Sequence, residues 1–176
     1  MCPFEATEHY TYDDYVQWQG DWELIYGMPV AMTPSPGIRH QAIAARILNE
    51  LMNSVGACKH CLVLMEQDWK LRHDTVVRPD VVLTCNEPNE QYLTKAPEIV
   101  VEVINPATAR RDEQFKFELY ENEGVGYYVL VYPDDGRAKV FKLFEGKFIK
   151  QGDYFAETYE FVDVPCSAKI DFGRVF

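Results

Sequence analysis

Apolar and polar positions along the chain follow two periods, and the changes between them mark the elements. Thr11 opens a short helix-like segment with Asp13 and Asp14 favourably placed in its first turn, and Gly20 closes it. Residues 22–26 (WELIY) and 28–32 (MPVAM) flank Gly27 and predict a hairpin. Pro34-Ser35-Pro36-Gly37 then precedes the strongest helical pattern, about 38–54. There Ile38, Ala42, Ala45, Ile47, Leu48, Leu51 and Met52 recur at helical spacing.

The pattern then turns strand-like over 62–72, 76–84 and 98–104. The last run, Glu98 to Ile104, is β-branched and nearly all apolar, as a central strand requires. Asn105-Pro106-Ala107-Thr108 breaks it, and a helix is predicted to about Glu123, with Thr108 as N-cap and Gly124 and Gly126 as stop. Strands follow over 127–132 and 137–144, with Pro133-Asp134-Asp135-Gly136 as the turn between them. Phe148-Ile149, Tyr159–Val162 and Ile170–Phe172 read as short edge strands. The expected fold class is α/β in the mixed α+β sense, a mixed β-sheet flanked by helices. With 176 residues, 47% of them hydrophobic, one domain spanning 1–176 is expected.

No apolar run approaches the roughly 18 residues of a membrane span. The N-terminus has neither a positive n-region nor an apolar h-region, so a cytoplasmic protein is expected. The five cysteines (Cys2, Cys58, Cys61, Cys85, Cys166) are odd in number and scattered, and are expected to be reduced structural thiols. Cys58 and Cys61 form a C-x-x-C around Lys59-His60, but no second pair stands at a regular zinc spacing.

The net charge of −11 argues against a non-specific nucleic-acid coat protein. Its distribution changes that picture. Residues 1–36 hold six acids and no Lys or Arg, whereas residues 37–80 hold six basic and five acidic side chains. Arg39, Arg46, Lys70, Arg72, Arg78, Arg110 and Arg111 remain candidates to meet phosphate.

Glu102 is the most informative residue, because it interrupts Ile99-Val100-Val101 and Val103-Ile104. A carboxylate there needs a cation, a metal or a proton unless it lies on a solvated edge. Asp80, between Pro79 and the apolar Val81-Val82-Leu83, stands at the start of a strand. If that strand pairs antiparallel with 98–104, Asp80 and Glu102 meet at one sheet end, where Mg²⁺ would suit two carboxylates and a substrate phosphate. Pro79-Asp80 alone would be read as a turn. On the following helix Asp112, Lys116 and Tyr120 fall at i, i+4 and i+8. Lys116 either faces the carboxylates, so that its loss slows hydrolysis with little change in folding, or makes an ordinary surface pair with Asp112.

Several separated landmarks keep their order: Tyr12-Asp13-Asp14-Tyr15, Trp22 to Gly27, Pro34-Ser35-Pro36, His40, Arg78-Pro79-Asp80, Pro97 to Thr108, Asp112, Lys116, Leu119-Tyr120, Gly124-Val125, Tyr128 and Tyr132-Pro133. In these the chain resembles the Uma family, uncharacterised restriction-endonuclease-like members of the PD-(D/E)xK nuclease superfamily that are abundant in cyanobacteria. The resemblance covers about residues 10–145 and leaves 146–176 as a C-terminal strand extension. It implies a restriction-endonuclease-like core and metal-dependent cleavage of DNA. On this basis Asp80, Glu102 and Lys116 are the expected catalytic set, with Asp80, Glu102 and Glu23 on Mg²⁺ or Mn²⁺. His40, Asp112 and Tyr120 are accessory candidates, although a structural hydrogen bond is an equal reading of His40. The superfamily's lysine would fall at Ile104, so this is a variant with the lysine displaced to the helix. Asn105 stands where serine is common, and Tyr26 where aspartate is common.

Three functions compete. The first is an active Mg²⁺-dependent endonuclease. The second is a nuclease-fold protein with weak or lost activity, used in nucleic-acid binding or regulation. The third is a zinc protein through Cys58, His60 and Cys61. A homodimer is also expected, because duplex DNA has two strands and the C-terminal third carries many aromatics suited to an interface.

Overall fold

The computed structural model describes residues 8–32, 36–107 and 109–176. Thr108, expected as an N-cap, Pro34, Ser35 and Cys2 lie outside them. The segment from Thr11 forms a single helical turn, α1 (Tyr12–Tyr15), with Asp14 accepting from both the N–H and the hydroxyl of Thr11. The predicted hairpin follows as β1 (Trp22–Ile25) and β2 (Met28–Ala31). Tyr26 and Gly27 both take positive φ between them, as a tight two-residue hairpin turn requires. Pro29 is tolerated because β2 is an edge strand.

The long helix α2 (Ile38–Val55) buries Ile43, Ala44, Ile47 and Leu51. Its inward stripe is therefore rotated from the expected one, and Ile38, Ala45 and Met52 face solvent. The runs 62–72 and 76–84 each divide in two. They give β3 (Cys61–Met65), β4 (Trp69–Arg72), β5 (Thr75–Val77) and β6 (Val81–Cys85). Glu66, at φ 47, turns the chain between β3 and β4, and Pro79, which has no N–H to give a ladder, stands between β5 and β6. The central strand is β7 (Ile99–Val103), buried at every position.

After β7 the chain winds as a π-helix over Arg111–Lys116 and continues as α3 (Phe117–Glu123). Gly124, at φ 84, ends α3 in the left-handed conformation. The strands β8 (Tyr127–Tyr132), β9 (Arg137–Phe144) and β10 (Lys147–Tyr154) follow, then a hairpin of β11 (Thr158–Phe161) and β12 (Ala168–Asp171). Phe148-Ile149 thus belongs to an eight-residue strand rather than a fragment.

The main sheet has the order β10-β9-β8-β7-β6-β3, with only β7 and β8 parallel. That pair is joined through α3, the crossover a parallel pair requires. The strands meet closely where β8 starts, since a Cβ on Gly126 would stand 2.8 Å from the Glu98 carbonyl oxygen. A smaller sheet of order β2-β1-β5-β4 lies beside it. One face of the main sheet (Val81, Leu83, Ile99, Val101, Val103) packs on α2 and the C-terminal hairpin. The other (Val82, Val100, Leu130) packs with Leu119 and Tyr120 of α3 and Trp69 of the smaller sheet. Being covered on both faces makes β7 nearly all apolar.

Two expectations change here. Tyr127, Tyr128, Phe148 and Phe161 are buried within the chain and leave no surplus for a dimer, whereas Phe144 and Phe155 stay 62% and 50% exposed. Four cysteines are not scattered thiols either: the sulfurs of Cys58 and Cys166 are joined, as are those of Cys61 and Cys85. Folding brings these distant positions together, and Cys61 faces Cys85 directly across β3 and β6.

Leu51 is fully buried between α2 and the sheet, whereas Met52 is 54% exposed. Leu51→Ala should cost about 2–5 kcal/mol in urea unfolding. Met52→Ala should stay within about 0.5 kcal/mol. Equal effects would place the helix stripe wrongly.

Candidate active site

Strands β6 and β7 run antiparallel with Val81 opposite Val101. One step further along the register brings Asp80 opposite Glu102. Asp80 Oδ2 accepts from the Val103 N–H at 2.7 Å and lies 3.3 Å from His40 Nε2 on the first turn of α2. The helix thus reaches the sheet end with its histidine, and the sheet holds the aspartate through its backbone.

Glu102 is 3% exposed. Its Oε1 accepts from Lys116 Nζ and from the Tyr120 hydroxyl, each at 2.9 Å. Lys116 is also 3% exposed, and its Nζ lies 2.9 Å from Glu23 Oε1 and 3.8 Å from Asp112 Oδ1. Glu23, on β1 of the smaller sheet, is fully buried, and its Oε1 accepts from the Arg78 N–H at 3.0 Å. Its Oε2 has no hydrogen bond and stands 3.9 Å from Arg111 Nη1. The Tyr128 hydroxyl donates to the Asp112 carbonyl, fixing the helix over the sheet. Within the π-wound segment Asp112 and Lys116 are the buried residues. Such wide turns recur at functional sites.

These contacts set the protonation chemistry. Burial pushes the Glu102 carboxyl well above its ordinary range, Lys116 pulls it back, and Asp80, Asp112 and Glu23 push it up again. Burial alone would lower Lys116, but the carboxylates of Glu102, Glu23 and Asp112 outweigh it and hold the ammonium charged. Burial also pulls His40 down. The hydrogen bond and charge of Asp80 win, and His40 rises above an ordinary histidine.

Asp80, Glu102, Lys116, His40 and Asp112 line one cleft of about 190 Å³. Glu23 and Tyr120 lie behind it, bonded to Lys116 and Glu102. The solvated-edge reading of Glu102 and the surface-pair reading of Lys116 both fail on burial. Of the candidate phosphate contacts, Arg78 and Arg111 line the cleft. Others are spent elsewhere: Arg46 donates to the Val175 carbonyl, and Arg72 pairs with Glu123. Arg78 is itself engaged by Asp68 and Asp21 at 2.7 and 2.8 Å. Tyr26 is 51% exposed at the hairpin turn, with its ring against Phe115. Glu66, Gln41 and Asn105 join the cleft without having been singled out as site residues. Only for Asn105, next to the break after β7, did the sequence hold a signal.

The fold is a mixed sheet with a helix crossover, and its candidate site sets two acids at one sheet end near a buried lysine. The family model described as "Putative restriction endonuclease", Uma2, matches residues 12–161, and the chain belongs to that family. A solved structure from Anabaena variabilis ATCC 29413, titled a "putative nuclease belonging to DUF820", has the same fold at a TM-score of 0.72. It is 16% identical, over 94% of this chain and 97% of that one. A cryo-EM structure of a DrdV–DNA complex matches at a TM-score of 0.33 and 14% identity, over 77% of this chain and 12% of that chain, too weakly to carry argument. No curated protein sequence matches the chain.

The burial of Lys116 alters one expectation, that its loss would leave folding nearly unchanged. Lys116→Met removes the cation facing three buried carboxylates and should cost about 3–5 kcal/mol at neutral pH. Glu102 already has a raised folded-state pKa, and losing Lys116 raises it further. A group of that kind adds stability as pH falls through its folded pKa. The deficit in Lys116→Met should therefore shrink between pH 7.5 and pH 5 in urea unfolding. A constant deficit would separate Lys116 from the titration of Glu102.

Proposed function

We propose that this chain is a metal-dependent endonuclease hydrolysing DNA phosphodiester bonds, with Asp80 and Glu102 holding Mg²⁺ or Mn²⁺ and Lys116 beside them. The observation that carries this reading is the excess of buried carboxylate over cation. Glu23 and Glu102 share one buried lysine at 2.9 Å each, and Asp80 lines the same cleft. Glu23 Oε2 is a buried carboxylate oxygen with no hydrogen bond. Such a set has the charge for a hard divalent cation, and its donors are all oxygen, as Mg²⁺ prefers.

When bound, the ion would polarise a phosphoryl oxygen and lower the pKa of a water molecule. The chain's own residues do the rest. Asp80, held by the Val103 N–H, and Glu102, held by Tyr120, present oxygens into the cleft from fixed directions. Lys116 keeps a compact charge near the reacting phosphate and is itself aimed by Glu23. His40 orients Asp80 through Nε2. Arg111, partly exposed on the cleft wall, is placed to meet a DNA phosphate.

A second reading is a nuclease fold kept for nucleic-acid binding or regulation, with weak or lost activity. The isoleucine at the superfamily's lysine position and the net charge of −11 favour it.

The deciding experiment is incubation of plasmid and single-stranded DNA with Mg²⁺ or Mn²⁺, against EDTA. Cleavage should require the metal and fall roughly 10²-fold or more in Glu102→Ala. Lys116→Arg should rescue poorly, since a planar guanidinium cannot take the place of a compact ammonium. Cleavage insensitive to EDTA or to Glu102→Ala would overturn the proposal, and binding without cleavage would favour the second reading.

A further inference from the structure

The C-x-x-C of the α2–β3 turn is not absorbed by the nuclease site, and the fold gives it company the sequence does not reveal. The sulfurs of Cys58, Cys61 and Cys166 lie within 4.8 Å of one another, and the sulfur of Cys85 is joined to that of Cys61. Three sulfurs thus cluster from the turn after α2 and the approach to β12, and the fourth, at the far end of β6, adjoins the cluster through Cys61. Cys61, Cys85 and Cys166 are buried and Cys58 is partly so. His60, the expected third ligand of a zinc site with Cys58 and Cys61, is exposed and outside the cluster, so its place is taken by Cys166.

We propose that the reduced form of this cluster is a tetrathiolate site for a soft divalent cation, Zn²⁺, held by Cys58, Cys61, Cys85 and Cys166. Two separate disulfides need not lie against each other, whereas a tetrahedral ion needs all four sulfurs converged. Zn–S bonds of about 2.3 Å put neighbouring sulfurs about 3.8 Å apart, so on reduction each joined pair must open, with Cys58, Cys61 and Cys166 already clustered and Cys85 beside Cys61. A C-x-x-C turn supplies two ligands from one short loop, the usual half of a structural zinc site. Binding is balanced as four thiols losing four protons to give one Zn(S-Cys)₄ unit of charge −2, with no change of oxidation state. Where the disulfides have formed, a dithiol reductant must first supply two electrons to each.

The ion would clamp the C-terminal hairpin to the main body. Cys166 leads into β12, which packs on α2, and Cys58 and Cys166 are separated by 108 residues. Asp80 and Cys85 mark opposite ends of β6, about 17 Å apart at the rise of an extended strand. The thiolate site is therefore independent of the proposed Mg²⁺ site.

The test uses the full chain, reduced anaerobically with a dithiol, stripped of metal and titrated with Co²⁺ and then Zn²⁺. One Co²⁺ per chain should bind with a thiolate-to-cobalt charge-transfer band, and one equivalent of Zn²⁺ should abolish it. Cys58→Ser and Cys166→Ser should weaken Co²⁺ binding at least tenfold, while Asp80→Ala keeps the band. Cys58 is the most exposed of the four, so its variant serves if Cys166→Ser fails to fold. Absence of the band in the reduced wild-type chain, or a band unchanged in Cys58→Ser, would overturn the proposal.

Discussion

A single ammonium group, Lys116 Nζ, organises the centre of this protein. It is nearly excluded from water and meets Glu23 and Glu102 at 2.9 Å, with Asp112 a little further off. Each acid comes from a different element: β1 of the smaller sheet, β7 of the main sheet, and the π-wound helix. Lys116 offsets much of the cost of burying these anions, since an unpaired charge in the interior costs several kcal/mol, and Arg111 adds a second positive charge beside Glu23. The lysine thus couples the docking of the smaller sheet to the placement of the helix over β7.

The π-winding of residues 111–116 belongs to the same constraint. It turns Asp112 and Lys116 inward together while leaving Glu113 and Gln114 outside. Tyr120, one α-helical turn beyond Lys116, donates its hydroxyl to Glu102 and packs its ring near Trp69 of the smaller sheet. Tyr128 fixes the Asp112 carbonyl from below. Both hydroxyls are thereby satisfied inside a largely apolar layer.

The proposed function sets an acidic chain against a phosphodiester, and the charges around the cleft bear on that pairing. More than half of the negative excess lies in residues 1–36, and the cleft itself sets Asp21, Glu66, Asp80, Glu102 and Asp112 beside Arg78, Arg111 and Lys116. Arg78 is already paired with Asp68 and Asp21, so its charge serves mainly to hold the rim. In the proposed function a divalent cation would supply the remaining positive charge, and nucleic-acid association at this site would depend on metal and on salt.

Much of this was legible in the sequence. The interruption of an apolar run by Glu102, the Pro79-Asp80 strand start and the helical spacing of Asp112, Lys116 and Tyr120 are local signals. Local signals survive folding where an element is long and periodic, as β7 and α2 are. The tertiary structure alone decided the rest. It joined Glu23 to Lys116 across two sheets, split two apolar runs between those sheets, and rotated the buried stripe of α2. It also gathered Cys58, Cys61, Cys85 and Cys166, whose partners are set by strand register and chain return. Periodicity reports which way a side chain faces relative to its own element. Which charge or sulfur waits on the other side depends on how the elements pack, and that is not written in any one segment.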